Sequence, residues 1–152
     1  KQMTVTNTSE FGGSIRMSNA KVKLFDVALK GCGDDHALFI PESTSETTLV
    51  ATRCEFANSE CGAAVFGSLS SATFKNCVFH DNSCHGFYGS SRSTIHLHGE
   101  ATAIHSNRRC GIIAMYSSKV IIHLPSNHNT FYNNGGQDRR TWGGGTITYV
   151  ED

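Results

Sequence analysis

The strongest constraint in these 152 residues is a repeat. Segments 21–32 (KVKLFDVALKGC), 48–61 (TLVATRCEFANSEC), 72–84 (ATFKNCVFHDNSC), 94–110 (TIHLHGEATAIHSNRRC) and 121–134 (IIHLPSNHNTFYNN) share one plan. Each alternates apolar and polar residues, turns, and alternates again. Four apolar columns align: Val22, Leu49, Ala72, Ile95, Ile122; Leu24, Ala51, Phe74, Leu97, Leu124; Val27, Cys54, Cys77, Thr102, Asn129; and Leu29, Phe56, Phe79, Ile104, Phe131. Alternation at period two predicts strands with one buried face. A rung of some 23 to 27 residues cannot bury that face alone, but rungs stacked in parallel can. Asn58, Asn82, Asn107 and Asn134 fall at the turns, where asparagine tolerates positive φ and bonds the local backbone. The expectation is an all-β chain, a right-handed parallel β-helix of about five full rungs with a partial rung at each end.

These columns, with the Phe-x-x-Asn and Phe-x-Asn-Asn turns at Phe56, Phe79 and Phe131, resemble the pectin-lyase-like superfamily. The resemblance spans about residues 3 to 150, and the rungs also look like those of large algal β-helix proteins. It implies the right-handed helix. It leaves function open, because that superfamily holds polysaccharide lyases, glycoside hydrolases, epimerases, phage tailspikes and scaffolds without catalysis.

The 13 basic and 13 acidic residues cancel, which argues against a broad electrostatic grip on nucleic acid or anionic membrane. No apolar run approaches the roughly 20 residues of a membrane span. Residues 1–152 read as a single domain. It begins at Lys1 and opens in mid-rung, so a piece of a longer solenoid is one expectation. No capping helix is evident at either end, so end-to-end homodimerisation is another.

Six cysteines fall in the turns and columns: Cys54 with Cys77, then Cys61, Cys84 and Cys110, with Cys32 equivalent. Stacked buried thiols are expected, with disulfides between rungs as the alternative. The corner between the second and third columns grows by two residues in the last two rungs, bringing in His98, Gly99 and Glu100, then Pro125, Ser126, Asn127 and His128. Loop growth on a rigid scaffold is a place where binding collects.

Outward positions carry the chemistry. Lys30, Ala57, His80, His105 and Tyr132 form one outward column, with Asp81 and Arg108 in the adjoining turns. A lyase or uronate epimerase needs a base, an acid and cations, roles that His80, His105, Tyr132 and Arg108 can fill as a catalytic set. Lys30, Asp81, Arg109, Arg139, Arg140 and Trp142 are the candidate substrate-binding residues, the last four forming a basic and aromatic edge suited to acidic sugars. A second outward column, Lys23, Val50, Thr73, His96 and His123, is read as a solvated face, with a metal held by the His96–His123 pair and nearby His98, Glu100 and His128 as the alternative; neither metal nor cofactor is expected. Gly33-Asp34-Asp35-His36 and Cys84-His85-Gly86 echo polygalacturonase motifs, but they lie two rungs apart and the remaining acidic and basic motifs have no match. The expected function is therefore a non-catalytic structural or interaction module, with carbohydrate binding as one form it could take. A lyase or epimerase acting on an acidic polysaccharide is the alternative.

Overall fold

The computed structural model describes residues 2–6, 13–125 and 127–150, and Ser126 lies outside them. The described residues form a right-handed parallel β-helix with three faces, each a sheet of six parallel strands. The first sheet stacks Met3–Thr6, Val27–Lys30, Glu55–Ala57, Val78–His80, Ala103–His105 and Phe131–Tyr132. The second stacks Ile15–Arg16, Leu38–Ile40, Ala63–Phe66, Phe87–Ser90, Ile112–Met115 and Arg139–Trp142. The third stacks Lys21–Phe25, Thr47–Thr52, Ser70–Lys75, Thr94–His98, Lys119–His123 and Thr146–Tyr149. Counted from the third sheet, this is five complete rungs with a partial rung at each end. Among the described residues no helix is long and apolar enough to cross a membrane.

The core is the set of inward columns. Val5, Leu29, Phe56, Phe79, Ile104 and Phe131 pair in strict register along the first sheet, as the alternation predicts. Phe56 stacks on Phe79 with centroids 4.8 Å apart, and both meet Phe74 edge-on. Burying such a ring contributes roughly 1.5–3 kcal/mol, so these columns hold the rungs together.

Two columns differ from the sequence alignment in the last rung. Ile95 pairs with Val120, not Ile122, and Leu97 pairs with Ile122, not Leu124. Val120, Ile122 and Leu124 are all buried, so the apolar alternation fits two registers and backbone pairing selects one. The corner loop of that rung is correspondingly longer than expected. Asn129 is exposed and Thr130 takes the buried position beside it.

The corners are built by left-handed residues repeated from rung to rung. Gly31, Asn58, Asp81, Ser106 and Asn133 have φ between 53° and 73° after the first sheet. Asp26, Arg53 and Asn76, at φ 51° to 53°, turn the corner after the third, and Arg53 forks onto the Asp26 carboxylate at 2.6 and 2.8 Å. Asn82, Asn107 and Asn134 play a different part from Asn58. They form an inward hydrogen-bond ladder in which each Nδ2 donates to a main-chain carbonyl one rung back, Phe56, Phe79 and Ile104 in turn. Asn82 and Asn107 also donate through Nδ2 to the Oδ1 of the next asparagine.

Candidate functional site

The outward column of the first sheet is present as the alternation places it. His80 pairs with His105 and His105 with Tyr132. The three rings form one parallel stack, with centroids 5.1 and 4.5 Å apart and planes within 8°. Two carboxylates hold His80, Glu55 Oε1 at Nε2 and Asp81 Oδ2 at Nδ1, each at 2.6 Å. Lys30 Nζ is 2.8 Å from the same Glu55 oxygen. Burial, then the charge of His80, push the His105 imidazole below its ordinary value, while Asp81 partly opposes them. Lys30 and Asp81 are thus engaged with neighbouring side chains of the same ladder.

A separate groove of about 1040 Å³ runs along the second sheet and the turns that lead into it. Its charged lining is Arg108, Arg109 and Arg140, and its aromatic lining is Tyr116 and Trp142. Arg108 and Arg109 come from the turn before Ile112–Met115, and Arg140 and Trp142 from Arg139–Trp142 one rung later. Strand pairing sets Arg140 beside Ile113 and Trp142 beside Met115. Tyr116 follows at a left-handed corner with φ 47°, and its ring meets Trp142 edge-on at 5.0 Å. Both rings are about half exposed. Gly135 and Gly136 lie against the Arg108 and Arg109 backbone, where a Cβ on Gly135 would fall 2.3 Å from the Arg108 carbonyl oxygen. A side chain there would push the rungs apart.

His85 also lines the groove, with Nδ1 accepting the Cys110 N–H at 3.2 Å. Its ring is pushed down to about 4, first by burial and then by the positive charges of Arg109 and Arg140. At neutral pH it is uncharged and, with Nδ1 accepting, carries its proton on Nε2. The groove lining combines three guanidiniums, a neutral imidazole and two exposed rings and, among the described residues, includes no carboxylate.

Not all of the expected residues meet. Arg109, Arg140 and Trp142 join Arg108 in the groove. Arg139 does not: it pairs with Ile112 at an inward position, its guanidinium lies over Phe131 and Tyr149, and Nη1 donates to Tyr149 Oη at 2.6 Å. It covers the last layer of the core. Arg108 lines the groove, and His80, His105 and Tyr132 are not among its lining residues. Tyr116 and Glu55 were not singled out in the sequence, and His85 entered only through the Cys84-His85-Gly86 echo. Continuing the strand alternation past Met115 would turn Tyr116 inward; the left-handed corner at φ 47° turns it out instead, so no strand pattern signals it.

All six cysteines are free thiols, and five are buried. On the third sheet His98, not His96, pairs with His123, yet all three of these imidazoles come together.

The family described as the right-handed beta helix region matches residues 13–150. The chain belongs to that right-handed β-helix family. No curated protein and no solved structure matches it. As a right-handed β-helix, it uses a continuous apolar interior to fix outward side chains at strand spacing, so its chemistry rests on those columns and corners.

Proposed function

We propose that this chain is a non-catalytic carbohydrate-binding module whose ligand is an acidic polysaccharide. The supporting observation is the groove that sets Arg108, Arg109 and Arg140 around the exposed Tyr116 and Trp142 rings. Guanidinium groups pair with carboxylate or sulfate through two parallel N–H donors. Aromatic faces pack the C–H surface of a sugar ring while its hydroxyls stay wet. The formal net charge of zero makes the attraction local to this groove. The alternative of a lyase or epimerase needs base, acid and cation around one sugar, but Arg108 lies in the groove and the His80–His105–Tyr132 stack lies outside it.

The test is a calorimetric panel of uronate-containing, sulfated and neutral polysaccharides. Binding confined to the acidic members, weakened by salt and lost in Trp142→Ala with Arg140→Gln, supports the reading. Equal binding of neutral polymers, or none at all, overturns it. Release of unsaturated uronate ends, removed by His105→Ala, replaces it with the lyase.

A further inference from the structure

Along a strand, residues two apart share a face, so His96 and His98 both project outward from Thr94–His98. His123 ends the adjacent strand and is the register partner of His98. Their rings stack with centroids 4.0 Å apart and planes within 11°. His96 Nδ1 lies 3.0 Å from His123 Nε2. One nitrogen from each of the three imidazoles can be chosen so that all lie within 4.8 Å of one another. All three residues are half-buried.

We propose that His96, His98 and His123 form a three-imidazole site for a divalent late first-row transition ion, Zn²⁺ or Cu²⁺. The donor set selects the class: imidazole nitrogen suits zinc, copper and nickel, whereas calcium and magnesium take oxygen. Size fits as well. Metal–nitrogen bonds of about 2.0–2.1 Å place tetrahedral ligand atoms about 3.3 Å apart, close to the His96–His123 separation. The stacked His98 and His123 rings need only side-chain rotation to converge, and the terminal torsion of histidine is broad and soft. With three protein ligands, the remaining coordination positions go to water or to an oxygen of a bound molecule.

The setting favours this use. His98 and His123 each sit where the corner loop after the third sheet has lengthened. His128 ties those two loops together, with Nδ1 2.8 Å from Thr130 Oγ1 and Nε2 2.8 Å from the Glu100 carbonyl oxygen. It braces the loops and is not one of the three ligands. Lys75, the register partner of His98 on the other side, is exposed.

Titration of the untagged chain with Zn²⁺ in a calorimeter, repeated against a competing chelator, tests the site. One ion per chain is expected. His98→Ala and His123→Ala should each weaken binding by roughly 100-fold or more, beyond the about 10- to 100-fold that loss of an outer partner gives. His98→Gln guards against a folding defect, and His128→Ala should leave the stoichiometry at one. With Cu²⁺, electron paramagnetic resonance should show several equatorial nitrogens in the wild type and fewer in His98→Ala. No stoichiometric uptake at micromolar Zn²⁺ overturns the proposal. So does uptake unchanged in both alanine variants, or a Co²⁺ spectrum with thiolate charge-transfer bands, which would put the ion on the cysteines.

Discussion

Glu55 Oε1 and His80 Nε2 lie 2.6 Å apart across adjacent rungs of the first sheet. Lys30 reaches the same oxygen and Asp81 holds the other nitrogen of the ring. Burial alone would raise the Glu55 carboxyl, but the hydrogen bonds from Lys30 and His80 outweigh it and hold it below the ordinary carboxylate value. A depressed carboxyl stabilises the fold above its unfolded pKa, and that stability is lost as pH falls through the folded pKa. Glu55→Gln should therefore cost about 0.5–1 kcal/mol at pH 7, the scale of a part-exposed ion pair. The gap from wild type should close as pH drops below the carboxylate range. Urea unfolding at several pH values measures it, and a gap independent of pH would refute the assignment.

The asparagine ladder gives a larger effect. Asn107 is buried; it donates through Nδ2 to the Phe79 carbonyl and Asn134 Oδ1, and its Oδ1 accepts from the Asn82 backbone N–H. Asn107→Ala leaves buried partners on both neighbouring rungs without their bonds, at about 1–3 kcal/mol for each group orphaned. A loss near 3 kcal/mol is expected. Asn58 is exposed and left-handed at φ 53°, so Asn58→Gly should stay within about 0.5 kcal/mol of wild type. Equal losses in the two variants would show that the ladder does not bear on stability.

The uneven legibility of the chain has physical causes. The Leu29–Phe56–Phe79–Ile104–Phe131 column could be read because large residues recur at one fixed place in each rung. The second sheet was hidden because its inward positions include Ala63, Gly89 and Ala114, which carry little hydrophobic signal. That is why Tyr116 escaped notice and His85 entered only through a motif echo, while Arg140 and Trp142 were conspicuous by type. Arg139 misled for a related reason. Its type says surface, but a guanidinium can lie flat over Phe131 and Tyr149 at the last layer and keep an edge in water.

Thiol reactivity should follow access. Hydrogen bonding with Cys77 lowers the Cys54 thiol, yet Cys54 is only 2% exposed. Burial pushes Cys61 up to about 12. Cys84 is the one part-exposed thiol, and burial raises it as well. A disulfide reagent on the native chain should modify Cys84 first and more slowly than a free cysteine, with all six reacting in denaturant. Cys84→Ser should remove that first phase. A fast phase that survives Cys84→Ser and disappears in Cys54→Ser would mean that the rungs open enough to expose the low-pKa thiol.

His85 reports on the groove. Its imidazole is held near 4 in the folded chain, against an ordinary value of 6.5. For a base depressed by folding, the unfolded chain binds the extra proton first, so stability is complete above about 6.5 and declines as pH falls toward about 4. His85→Gln should flatten that stretch of the stability profile. Burial is the first cause of the shift, and Arg109 and Arg140 add to it, so Arg140→Gln should move the His85 titration upward without restoring the ordinary value. A polyanion seated on the arginines neutralises the same charges and should also raise it. Nuclear magnetic resonance of the His85 ring, free and with an acidic polysaccharide, follows all three shifts. A titration that moves with Arg140→Gln but not with ligand would place the polymer elsewhere on the solenoid.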